Sequence, residues 1–274
     1  MHTGRRGISG VAVIAIIIVI VLAVAAAIYL DAPFFGQSMA GSGNMTSRQF
    51  TVPGFTSVSV ADGFNANITY ADFFMVRVTT DDNLMESINV TSVNGTLYVG
   101  INKGASIAPT SLRLDVSMPA ITGIDLSGAT NGALSSFPMQ TRVSMMLSGA
   151  SSLNVTQAMV GSFTASLSNA SVLRGYLSCG GWAPSTFILS GGSSVVLSGI
   201  GGDMTMDATG GSSLELLGMA ANDVTAVLSG GSSAKVNMDG TLNADLSGGS
   251  SLRYTGSPTM GNILTSGGSS ISRM

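Results

Sequence analysis

One six-residue phrase recurs through the second half of the chain and limits what it can fold into more than any other feature. An apolar residue and a hydroxyl residue are followed by two small residues and then two residues that are mostly hydroxylic. It reads Leu126-Ser-Gly-Ala-Thr-Asn131, Leu147-Ser-Gly-Ala-Ser-Ser152, Leu167-Ser-Asn-Ala-Ser-Val172 and Leu189-Ser-Gly-Gly-Ser-Ser194. It returns at Ala208, Leu228, Leu246 and Thr265, so eight copies begin 21, 20, 22, 19, 20, 18 and 19 residues apart. A period near 20 residues marks a solenoid, in which one repeat cannot bury its apolar side alone and neighbours stack to close a core.

The residues between the phrases say which solenoid. Apolar residues recur at every second position, as in Val143, Met145 and Leu147, in Met204, Met206 and Ala208, and in Val224, Ala226 and Leu228. A period of two is a strand with one face inward. Shorter alternating runs follow each phrase, such as Leu214 and Leu216. Each repeat therefore holds two or three short strands between glycine-rich corners, and leaves no room for a crossover helix. Leucine-rich repeats, the competing solenoid of this period, need a Leu-x-x-Leu-x-Leu spacing that is missing here. The pattern predicts a parallel β-helix. Leu126, Leu147, Leu167, Leu189, Ala208, Leu228 and Leu246 should form one inward ladder, with Ser127, Ser148, Ser168, Ser190, Thr209, Ser229 and Ser247 turned away from it. Upstream, residues 50 to about 120 alternate in the same way, with Asn94-Gly95 as a tight-turn signal. This region is expected to continue or cap the same structure, a separate β-sandwich being the alternative.

Composition narrows the function. Only 9% of the 274 residues are charged and the formal net charge is -3, while 36 residues are glycine. Two lysines and nine arginines spread along the chain make no basic stripe, which argues against nucleic acid as a partner. The single cysteine, Cys179, excludes an internal disulfide framework and a cysteine-based zinc site. His2, the one histidine, precedes the apolar N-terminal run, so no histidine-dependent triad or metal site is expected in the repeat region.

That N-terminal run is uncharged from Ile8 to Leu30, with Arg5 and Arg6 before it and Asp31 after it. About 20 apolar residues span a bilayer as a helix, and the flanking charges keep the N-terminus inside. A cleaved signal peptide is the alternative, with small-residue spacing at Ala23, Ala25 and Ala27. The length of the apolar core favours an uncleaved anchor.

With the repeat and the upstream strands in view, the chain resembles the head GIN domain family of putative auto-transporter adhesins. The carrying pieces are "FTSVSVADGFNANITY", then "LMESINVTSVNGTLYVGI", then the run from "ITGIDLSGAT" through the glycine-serine phrases, together covering about residues 50 to 270. The resemblance implies a right-handed, single-stranded β-helix on an exported protein, and it brings no catalytic residues. The fold class expected is therefore all-β, a right-handed parallel β-helix with an N-terminal transmembrane helix. Its parts are a cytoplasmic N-terminus at 1–7, the membrane anchor at 8–30, a flexible linker at 31–49, the upstream strands at 50–120 and the repeats at 121–274.

Candidate sites are few. Six Asn-x-Ser/Thr sequons, at Asn44, Asn67, Asn89, Asn94, Asn154 and Asn169, are candidate glycosylation sites on an exported chain. Asp125, Asp207 and Asp245 share one repeat position and Asp203 and Asp223 another. They are checked as acid/base pairs because parallel β-helices include polysaccharide-cleaving enzymes. Solvated carboxylates are the preferred reading. The position that holds aspartate in some coils holds Met146, Ile188, Val227 and Leu264 in others, a candidate docking stripe. No catalytic, cofactor-binding or metal-binding residue is expected. The function expected is a membrane-anchored extracellular binding module of adhesin type, on a single-pass cell-membrane protein. Its expected partners are a cell-surface glycan or protein, or a further copy of the chain met end to end or side by side. A passive stalk or surface-layer component is the alternative reading, and an exported carbohydrate-active enzyme a third.

Overall fold

The alternating runs fold as strands and the phrases between them as corners, so that each turn of chain lies on the one before it. The computed structural model describes residues 38–52, 54–135 and 137–274. Within the unit from Ala40 to Met274, the strands before the phrases form one parallel sheet. Its register sets residues 96–99 beside 57–60, then 123–126, 144–147, 164–167, 186–189, 205–208, 225–228 and 243–246. A second parallel sheet takes the strands after the phrases, from 113–118 and 65–70 through 131–134, 152–155, 172–175, 194–197, 213–216, 233–236 and 251–254. A third joins the two on the far side, through 137–140, 158–160, 177–179 and 198–200. The strands Ser152–Leu167 and Ser213–Leu228 each run unbroken from the second sheet through the third into the first, bending at register shifts rather than at loops.

The expected inward ladder is present. Leu126, Leu147, Leu167, Leu189, Ala208, Leu228 and Leu246 are paired in register and all buried, and Val60 and Val99 extend the column upstream. Ser127, Ser148, Ser168, Ser190, Ser229 and Ser247 are half-buried and Thr209 is exposed. The upstream strands join the same stack. Strands 57–60 and 65–70 make its first full coil, and 96–99 with 113–118 lie above it. At this end the pairing turns antiparallel: Met75–Asp81 pairs with 113–117, Met45–Phe50 with Met75–Asp81, and Ile88–Val93 with Thr96–Ile101. Antiparallel strands thus cover the parallel edge that stacking would leave open.

The expected fold class needs one correction, the transmembrane helix. Among the described residues no helix is long and apolar enough to cross a membrane, and residues 8–30 lie outside them. An apolar run says only that a segment avoids water. A spanning helix also needs an unbroken ladder of i to i-4 hydrogen bonds, and the helical segments described are the short 3-10 turns Asp82–Ser87 and Gly180–Trp182. Among the described residues the structure supports an all-β solenoid and shows no transmembrane helix.

The corner explains the phrase. Its third and fourth residues both take left-handed backbone, as at Gly210 (φ +65°) and Gly211 (φ +75°). The two glycines answer different constraints. A Cβ on Gly211 would stand in open space, so only its dihedral favours glycine, whereas one on Gly210 would lie 3.1 Å from the Gly191 nitrogen of the adjoining coil. Alanine accordingly occupies the second position in three copies, Ala129, Ala150 and Ala170, at φ +60° to +63°. The fifth residue is a buried hydroxyl in every coil from Thr130 to Ser250. The Ser232 hydroxyl donates to the Ser229 carbonyl at 2.8 Å, closing its own corner, and accepts from the Ser212 N–H of the neighbouring coil at 3.2 Å. Thr130 with Ser151, and Ser250 with Ser269, repeat the link between coils.

Three outcomes follow. In thermal unfolding, Gly211→Ala should destabilise by about 1–2 kcal/mol, the strain of a left-handed alanine, and Gly210→Ala by more, because the neighbouring backbone must also move. Equal losses would mean that the adjoining coil does not press on the first glycine. Ser232→Ala should cost about 1–3 kcal/mol, the penalty for a buried donor left without its acceptor. In the antiparallel cap, burial pushes the Asp81 carboxyl up, but the N–H groups of Thr110 and Gly43, each 2.8 Å away, hold it below the usual carboxylate range. A lowered folded-state value makes this stabilisation complete at neutral pH. It is lost as acid takes the protein below about pH 4, through the folded value. Protection factors of the Gly43 and Thr110 amides, taken against the unfolded-chain exchange rate at the same pH, should fall there in the native protein, and be low and independent of pH in Asp81→Asn.

Candidate functional site

Outward positions of the first sheet build the most structured surface of the molecule. Because the strands are in register, alternate residues stand in straight columns across the coils. One column reads Tyr98, Ser59, Asp125, Met146, Ser166, Ile188, Asp207, Val227, Asp245 and Leu264. The four residues of the expected stripe, Met146, Ile188, Val227 and Leu264, therefore lie on one line, each 46–52% exposed. They are never adjacent, since a polar residue separates each from the next. Beside them runs a second column of mostly hydroxyl residues: Thr96, Ser57, Gly123, Ser144, Thr164, Thr186, Thr205, Thr225 and Asn243.

Gly123 interrupts that hydroxyl column and opens a notch. A Cβ there would meet the Ser57 hydroxyl at 2.9 Å. The notch, about 280 Å³, is lined by Tyr98, Ser57, Ser59, Thr122, Asp125, Ser144 and Met146. Ser59 donates to the Asp125 carboxylate at 3.2 Å, and the Ser57 and Thr122 hydroxyls share a hydrogen bond at 3.0 Å. A second hollow of about 340 Å³ adjoins it, sharing Asp125 and Met146 and reaching Ser166 and Ile188. The two form one continuous shallow groove whose floor is apolar and whose walls carry hydroxyls and a carboxylate. The charges in these two columns are the three aspartates.

Structure separates the two sets of aspartates. Asp203 accepts from the Asn222 side chain at 3.0 Å and the Asp223 N–H at 3.3 Å, and Asp223 accepts from the Thr241 N–H at 2.6 Å. They brace one coil to the next at the corner leading into the first sheet. Asp207 and Asp245 are exposed and two coils apart with Val227 between them. That arrangement does not form the facing pair that glycoside hydrolysis uses. Among the described residues no three His, Cys, Asp or Glu side chains gather as a metal site would require. Burial pushes the Cys179 thiol up to about 11, which keeps it protonated and unreactive at neutral pH.

Sequence reasoning missed two features. It did not place Tyr98 in the columns, because strand 96–99 reaches the first sheet only after the chain leaves the stack and returns, and it did not single out Gly123, three residues before Leu126 on a strand that the phrase does label. It also set aside Trp182, which is more than half exposed in a left-handed conformation (φ +60°) beside Asn222 and Asp239 in a corner hollow of about 370 Å³. Of the sequons, Asn44, Asn89, Asn94, Asn154 and Asn169 are exposed, and Asn67 is half-buried within the strand Asn65–Tyr70. They are spread over the cap, the second sheet and one corner, so they do not gather into a site.

The family model for the putative auto-transporter adhesin head GIN domain matches residues 54–178 and 186–258. The chain belongs to this family. Among solved structures, a putative adhesin from Parabacteroides merdae is similar at 17% identity and a TM-score of 0.77, covering 86% of this chain and 99% of its own. A putative lipid binding protein from Parabacteroides distasonis has a TM-score of 0.70 at 15% identity, with 87% and 100% covered. A putative adhesin from Bacteroides fragilis has a TM-score of 0.64 at 19% identity, with 86% and 100% covered. A search of curated protein sequences finds no match. Identities this low establish a shared fold, and the differing descriptions of these neighbours leave the ligand to be argued from this chain's own surface.

Proposed function

We propose that this head GIN domain protein is a cell-surface binding module of adhesin type. On this reading it makes contact through the outer face of its first sheet and catalyses no reaction. The observation that carries the reading is the groove along that face, where exposed apolar side chains are set singly among hydroxyls and carboxylates. Scattered exposed apolar residues are ordinary on any protein. Four of them in one column, with Met146 and Ile188 lining the connected hollows, supply what a recognition surface needs: apolar contact for affinity and fixed polar groups for selection. The absence of catalysis is supported by the aspartates: Asp203 and Asp223 brace corners, Asp125 accepts from Ser59, and Asp207 and Asp245 stand apart in solvent. Membership in an adhesin family agrees with a place at the cell surface.

A passive stalk is the competing reading, and saturation separates the two. The purified protein should bind cells or immobilised cell-surface glycans saturably. Ile188→Asp combined with Val227→Asp should lower that affinity at least tenfold, while Glu215→Gln on the second sheet leaves it unchanged. Measured by surface plasmon resonance or cell binding, a linear response without saturation would favour the stalk. Equal affinity of the native protein and the double variant would move the contact surface elsewhere.

A further inference from the structure

The order of residues along the exposed column of the first sheet carries a more specific reading, which rests on that face being the contact surface. From Asp125 onward polar and apolar side chains alternate strictly, coil by coil, through Met146, Ser166, Ile188, Asp207 and Val227 to Asp245 and Leu264. Like residues thus recur every second coil, about 9.6 Å apart on the usual strand spacing of about 4.8 Å. We propose that this column holds an extended, uncharged β-1,4-linked polysaccharide laid along the stacking axis.

The match is one of period and chemistry together. In an extended β-1,4-linked chain of hexopyranose rings each ring is turned over relative to the last. One edge therefore presents a vicinal diol, then a hydroxymethyl group, then a diol again, and a ring's length along the chain is close to one coil. Asp207 and Asp245 can each accept both hydroxyls of a diol in charge-assisted bonds. Ile188 and Val227 offer apolar contact to the ring carbons and methylene between them. The neighbouring Thr186, Thr205 and Thr225 hydroxyls can donate or accept at every ring, whichever way it faces. Other ligands fit less well. A peptide along the same axis repeats its side chains about every 6.7 Å, which falls out of step with the coils. Polyanions would meet the aspartates.

Titration calorimetry with the full-length protein tests this, using β-1,4-linked gluco-oligosaccharides of two to six rings and, as a probe of the diol contact, their N-acetylated amino-sugar counterparts, in which an acetamido group replaces one hydroxyl of the diol. Malto-oligosaccharides, which are α-linked and coil, serve as the contrast. The expected result is at least a tenfold rise in affinity from two to six rings in the β-linked gluco series, a smaller rise in the N-acetylated series, and no rise in the α-linked series. Asp207→Asn and Val227→Asp, both at exposed positions, should each weaken six-ring binding about fivefold or more with the melting temperature unchanged. Binding that ignores length or linkage overturns the inference. So does saturable cell adhesion without binding to either β-linked series, which would leave the adhesin reading standing. Loss of both adhesion and glycan binding would remove the two together. Light scattering supplies a last arm: a dimer that Ile188→Asp dissociates, without glycan binding, would make the column a contact between copies and overturn the proposal.

Discussion

Coils that lie in register, one over another, are the constraint on which everything else here depends. A parallel stack satisfies backbone hydrogen bonds only if each coil leaves the corner at the height and angle of the one before. The corner therefore has to be the same turn each time. Two consecutive left-handed residues provide that turn, and the buried hydroxyl that follows locks it, bonding back to its own corner and accepting from the adjoining coil. The first glycine is packed against its counterpart in the next coil, so the corners form a column of touching backbone. This gives the phrase its near-invariance where the rest of each coil drifts in length.

Register also creates the surface. In a globular fold, the neighbours of an exposed residue come from unrelated segments, whereas here they are the equivalent residues of the coils above and below. A one-dimensional pattern written at about 20-residue intervals becomes a physical row at strand spacing. That is how Met146, Ile188, Val227 and Leu264, separated by up to 118 positions in sequence, come to share a line with three aspartates. The same geometry sets Asp207 and Asp245 two coils apart with Val227 between them, so they do not face each other as a pair.

Several of these rows were legible beforehand. Leu126 through Leu246 could be aligned by the phrase itself, and period-two alternation said which of their neighbours face out. The upstream strands were harder, since no phrase labels strand 96–99 and the antiparallel strands 75–81 and 88–93 separate it in the chain from the coil at 57–70. Tyr98 was therefore missed, although with Gly123 it lines the notch. Trp182 was missed for a different reason. It sits on an insertion within the repeat, and the hollow it faces is lined by Asn222 and Asp239, which come from later coils.

What the sequence determined by itself was the unit and its stacking: the length of a coil, the position of its sharp corner, and which side chains point into the core. These follow from local rules, namely the dihedral freedom of glycine and the two-residue period of a strand, which act within a few residues. Tertiary structure alone decided how the stack begins and what its surface holds. The antiparallel cap, the buried Asp81 that ties it together, and the notch at Gly123 all depend on which distant strands become neighbours. That choice is made by packing and hydrogen-bond completion over the whole sheet, and no local pattern in the chain records it.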